Sequence, residues 1–192
     1  MRLPTLALLL AAACTRGDSS RAADTAGARD TSAAASAGAP APDTVASPWA
    51  VSEAGAGPIR AGMTSAEARA ATGGALALPV SLDATCDFAR VAGAPGGLRI
   101  MMAGGRVARV DVDSATVPTT RGARVGDTEA RVRELYGSAL REEPHKYVEG
   151  GRYLIVRGAD TTRAIVFETD GRVVRHLRAG RTPEVMWVEG CA

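Results

Sequence analysis

The chain has 192 residues, and its 23 basic side chains against 21 acidic ones leave a net charge of +2. That near-balance excludes the strongly basic domain that nucleic acid demands, so no nucleic-acid partner is expected. Lys146 is the only lysine, and Asn and Gln are absent. The bias runs through every part of the chain and reads as genomic rather than functional.

The first segment is a leader. Arg2 is followed by an apolar stretch from Leu3 to Ala13, interrupted only by Pro4 and Thr5. At about eleven residues it is too short to span a bilayer, which needs about 20. It has the anatomy of a signal peptide over residues 1–13. Ala11-Ala12-Ala13-Cys14 resembles the lipobox of bacterial lipoproteins, although Ala11 stands where leucine is usual. The resemblance implies lipidation of Cys14, a membrane anchor, and, with Thr15 following, delivery to the outer membrane facing the periplasm. The alternative is an ordinary secretory signal with Cys14 incidental.

Residues 15–47 are Ala, Ser, Thr, Gly, Asp, Arg and Pro with one valine. Such a stretch cannot bury enough apolar area to offset the entropy of ordering it. Residues 14–50 are therefore expected to be a disordered tether, with a reach of roughly 30 Å.

The remainder reads as a duplication, 51–116 and 117–192. At an offset of 64, Gly62, Thr64, Ala66, Arg69 and Gly73 fall on Gly126, Thr128, Ala130, Arg133 and Gly137. At an offset of 66, Ile100, Met101, Gly105, Arg106 and Val107 fall on Val166, Phe167, Gly171, Arg172 and Val173. Thr64-Ser65-Ala66-Glu67 is a capping-box pattern and Gly73 a natural helix stop. Val132, Leu135 and Tyr136 give one apolar face to a second helix ending at Gly137. Strands are expected over 86–91, 98–103 and 106–112, then over 153–157, 164–168, 172–178 and 184–188. Gly104-Gly105 and Asp170-Gly171 mark hairpin turns. The predicted class is α+β: two tandem units of helix and antiparallel meander, forming one sheet with the helices on one face.

Cys86 and Cys191 remain once Cys14 is set aside. In an oxidising compartment an even pair reads as a disulfide. The alternative is a Cys–His nucleophile with His145 or His176, for which no motif is present. Two histidines without metal-ligand spacing argue against a zinc site, so no cofactor or metal is expected. Asp111 and Asp113 share a strand face, readable as a cation site or as a solvated strand end. Arg106 and Arg109 on one strand, with Arg172, Arg175 and Arg178 on its counterpart, suggest a basic patch for acidic protein surfaces, lipid head groups or cell-wall carboxylates. The competing reading is a wet outer sheet face.

Gly62-Met63-Thr64 with its Ala/Glu-rich helix, echoed by Val125-Gly126-Asp127-Thr128 and Leu135-Tyr136-Gly137, resembles the domain shared by the small outer-membrane lipoproteins of the SmpA/OmlA (BamE) family and the β-lactamase inhibitory proteins. The resemblance runs from Ile59 to Cys191. It implies a non-enzymatic envelope protein, membrane-bound through its lipid, that holds a protein or cell-wall partner through its sheet face. It also implies an alternative, an inhibitor of a secreted hydrolase such as a β-lactamase.

Overall fold

The computed structural model describes residues 47–78 and 85–191. The expected leader, Cys14 and nearly all of the tether lie outside them. Three two-residue strands come first: β1 (Val51–Ser52), β2 (Gly55–Ala56) and β3 (Ile59–Arg60). Helix α1 (Ser65–Ala71) follows, then β4 (Leu76–Ala77), β5 (Cys86–Val91), β6 (Leu98–Ala103) and β7 (Arg106–Val112). The second half runs through α2 (Glu129–Tyr136), β8 (Leu140–Pro144), β9 (Arg152–Arg157), β10 (Arg163–Thr169) and β11 (Val174–Arg181). The fold is mixed α+β, with β1–β3 in a small sheet and the other eight strands in one antiparallel sheet ordered β4-β5-β6-β7-β11-β10-β9-β8.

That order is two meanders joined edge to edge through β7 and β11. The two halves repeat each other bond by bond. Gly62 N–H donates to Val107 O as Gly126 N–H does to Val174 O. Val107 N–H donates to Met63 O as Val174 N–H does to Asp127 O, and Ser65 N–H to Gly105 O as Glu129 N–H to Arg172 O. Gly62 and Gly126 both sit at positive φ, +97° and +94°, which a side chain would strain. Thr64 and Thr128 both cap the helices that follow, Thr64 in a complete capping box with Glu67.

These bonds match Val107 to Val174, an offset of 67 rather than the expected 66. Both hairpins carry a register shift at the same place, between Met101 and Met102 and between Glu168 and Thr169, leaving Ala108 and Arg175 as the extra residues. A one-residue slip would turn every side chain to the wrong face. At offset 67 Ile100 matches Phe167, and both lie in the same core. The strand pair β7–β11 then has Asp111 opposite Arg178, its own equivalent, so the axis relating the halves passes through that pair.

The main core lies between the sheet and the helices. Ala68 of α1, Val132 and Tyr136 of α2, and Ile100, Val110, Leu154, Phe167 and Leu177 of the sheet are all buried in it. The Tyr136 ring meets Phe167 at 5.4 Å, and its hydroxyl donates to the buried Thr119 Oγ1 at 2.9 Å. Burial pushes this phenol up to about 12. The buried Glu129 carboxylate accepts from Thr169 Oγ1 (2.6 Å) and Arg133 Nη2 (2.9 Å), tying α2 to the sheet.

Sequence reasoning missed β1–β3, β4 and β8, and it placed the tether's end too late. Trp49 packs on the core, so Ser47–Ala50 belong to the fold. The expected strand over 184–188 is a 3-10 turn, Glu184–Met186, followed by irregular chain. Thr182-Pro183 stops the preceding strand, because proline has no N–H to give the ladder.

Candidate binding site

After β11 the chain turns back across the sheet face opposite the helices. This strap, residues 182–191, covers the face that the sequence suggested would be wet. Val185 is fully buried against Tyr153, Ile155, Ala164 and Val166, with Met186 and Val188 packed around them. Cys86 and Cys191 lie at disulfide distance, Cα atoms 5.3 Å apart, and staple the end of the strap to β5. Neither sulfur is then a free thiolate for a Cys–His nucleophile.

Arg109 holds the middle of the strap. Its Nε and Nη2 donate to both Asp111 carboxylate oxygens, at 2.9 and 3.0 Å, while Nη1 donates to the carbonyls of Glu184 (2.8 Å) and Trp187 (2.6 Å). Only a guanidinium carries enough donors in one plane for both tasks. Arg178 stands beside it, 3.4 Å from both Glu168 Oε2 and Trp187 O. Burial, and then the neighbouring Arg109, lower the pKa of Arg178.

The expected basic patch is therefore not a surface. Arg109 and Arg178 are 2 % and 4 % exposed. Arg106 is exposed elsewhere and donates to Gly62 O. Arg172 lies in the β10–β11 turn, and Arg175 is the bulge residue, 3.9 Å from Asp170. The bulge puts Val174 and Leu177 on one face, so simple alternation from Arg172 to Arg178 fails. Asp111 is neither a cation ligand nor a solvated strand end, because Arg109 occupies it. Asp113 lies half-exposed, 3.9 Å from Arg99. Among the described residues no group of three or more His, Cys, Asp or Glu side chains could hold a metal ion.

The loop between β8 and β9 reaches the strap. The His145 ring is buried, stacked on Tyr153 at 4.6 Å. Its Nδ1 accepts from the backbone N–H groups of Tyr147 (2.9 Å) and Val148 (3.1 Å), which places the ring proton on Nε2, 3.0 Å from Glu168 Oε1. Sequence reading left His145 as a plain loop residue; it is the organiser of that loop. Lys146 Nζ (3.0 Å) and the Tyr147 hydroxyl both donate to Glu189 Oε1 of the strap. Tyr147 and then Lys146 hold the Glu189 carboxyl below its ordinary range, and Tyr147 and Glu189 hold the Lys146 ammonium above its own.

Between loop and strap lies an open cavity of about 600 Å³, bordered by Met186, Trp187, Val188, Lys146 and the Cys86–Cys191 pair. The large hydrophobic side chains that the described residues leave exposed are Tyr147 (59 %), Trp187 (41 %) and Val148 (40 %); Trp187 lines this cavity, and the Tyr147 hydroxyl bonds Glu189 on its wall. No helix among the described residues is long and apolar enough to cross a membrane. No protein family, curated protein or solved structure matches the chain.

Proposed function

We propose that this is a non-enzymatic envelope protein, anchored by lipid on Cys14, that holds a protein partner through the strap and the β8–β9 loop. One observation carries the reading: exposed Trp187 lines an open cavity, and exposed Tyr147 is bonded to Glu189 on its wall. Aromatic side chains clustered at a concave, rigid place are what a protein interface uses as anchors. The chain enters the fold on the other side of the sheet, where Trp49 and Val51 join the helix-side core. The strap surface thus faces away from the tether's point of entry and is open to a second component. Compared with the sheet face expected from sequence, the surface is the same side of the molecule, rebuilt by the strap.

A photo-crosslinking amino acid at Tyr147 or at Trp187, introduced into the full chain in its own cells, tests this. A discrete adduct at these positions, absent when the probe replaces exposed Arg141, is expected. Identical, diffuse labelling at all three would sink the reading. The intact mass of membrane-purified protein tests the anchor separately, since lipid must add to a chain starting at Cys14. A second reading, an inhibitor of a secreted hydrolase, draws on the same tyrosine-bearing loop, bonded through Glu189 to a strap that the disulfide ties to β5. It requires the purified chain to inhibit a hydrolase, and Trp187→Ala to abolish that inhibition.

A further inference from the structure

On the other flank of the strap lies a smaller cleft of about 230 Å³, lined by Phe88, Arg99, Arg109, His176 and Arg178, together with Asp111, Glu168, Glu189 and strap backbone. Its acids are already engaged. Asp111 is held by both arms of Arg109, Glu168 by His145 Nε2 and Arg178, and Glu189 by Lys146 and Tyr147. Its donors are not used up. The Arg178 side chain is 5 % exposed, yet its Nε has no hydrogen-bond partner among the described residues. The Nε of Arg99 is also buried and unpartnered on a side chain that is 32 % exposed, and among the described residues the Arg99 guanidinium, 5.1 Å from the Phe88 ring centre, has only Asp113 at 3.9 Å as a counter-charge. Four buried side-chain atoms among the described residues lack a partner, and two of them belong to arginines of this one cleft. Buried donors are nearly always satisfied in folded proteins, so a pair left over beside a cleft points to a ligand that supplies acceptors.

We propose that this cleft binds a carboxylate, with Arg99 and Arg178 as its donors and His176 at its mouth. A carboxylate offers two oxygens in the plane that guanidinium donors match. The three arginines and three carboxylates of the lining balance, so the occupant is set by the unused Arg99 and Arg178 donors and by a volume of about 230 Å³, which admits one small anionic group rather than a polyanion. The carboxylate can come from a free small acid or from the C-terminus of an extended peptide. The inference is independent of the lipid anchor and of the partner at Tyr147 and Trp187.

The arginine Nε–Hε signals of the full chain, followed by NMR, report the site directly. The probes are acetate, a short apolar peptide with a free C-terminus, and the same peptide amidated. Binding is expected to shift the Arg99 and Arg178 signals together and to saturation, with exposed Arg141 unmoved. Arg99→Gln should weaken binding about tenfold while the amide spectrum keeps its dispersion. If that variant does not fold, His176→Gln, at an exposed position, carries the same comparison. Acetate matching the free peptide assigns a small acid; a free peptide that binds tighter, with its amide silent, assigns a chain terminus. Non-saturating drift of all arginines alike overturns the proposal. So does wild-type affinity in the folded variants.

Discussion

Arg109 shows how much one side chain can hold. It neutralises Asp111 and fixes two carbonyls of a segment far along the chain. Removing one member of a buried, hydrogen-bonded ion pair leaves the other uncompensated, at about 3–5 kcal/mol. Arg109→Met is therefore expected to lose at least about 3 kcal/mol in chemical denaturation, and Arg109→Met combined with Asp111→Leu to lose less. Equal losses in both would show that Arg109 acts through the strap carbonyls alone. Tyr136 gives a pH dependence of definite sign. Its phenol is pushed up to about 12 by burial, against an ordinary value of 10.0. The unfolded chain ionises first, so this contribution is complete below pH 10 and is lost as pH rises from there towards 12. At about 1.4 kcal/mol per pKa unit the loss is roughly 2–3 kcal/mol. Tyr136→Phe should flatten that alkaline fall, measured as the midpoint of denaturation against pH.

At the level of elements, the strap decides what the molecule presents. The sequence was legible where elements carry their own period or punctuation. Thr64 and Glu67 announced α1, Asp170-Gly171 announced the β10–β11 turn, and the apolar runs of β6, β7, β9 and β10 read as strands. It was opaque where structure is borrowed from neighbours. Strand β8, Leu140–Pro144, has no apolar alternation because it is an edge with charged and proline residues facing outward. Glu184–Val188 carries an unbroken apolar run from Val185 to Val188, and nothing local says that it caps a sheet rather than extends it. Of the candidate site, the cysteine pair could be read from compartment logic. The burial of Arg109 and Arg178 could not, because it depends on a segment that returns from the far end of the chain. The disulfide is the strap's covalent tie. Closing a loop of 105 residues is worth about 4–5 kcal/mol in the chain-entropy model. Cys86→Ser with Cys191→Ser should lower stability by about that much and open the chain after Arg181 to trypsin. Unchanged resistance to trypsin would mean that Arg109 and Val185 retain the strap unaided.

For the whole molecule, the joint between β7 and β11 makes two small units into one. Each half alone would expose Val107, Val110 and Val112, or Leu177 and Ala179, along an open sheet edge, although every one of them is buried in the whole chain. An exposed apolar edge strand is a template for aggregation. Residues 47–116 and 117–191 expressed separately are expected to lack dispersed NMR spectra, and to regain them only if mixing restores the joint. A half that folds alone would overturn this. Gly180 marks how closely the halves meet, since a side chain there would reach within 2.4 Å of Ala108 O.

The position of Asp111 and Arg178 has a further consequence. Were the two halves separate copies of a single repeat, the residue at that crossing would face itself, acid against acid or base against base. Like charges directly opposite on neighbouring strands are destabilising. Two places in one continuous chain can carry opposite signs, as Asp111 and Arg178 do. Two free copies of either half, paired in the same way, would bring Asp111 against Asp111 or Arg178 against Arg178.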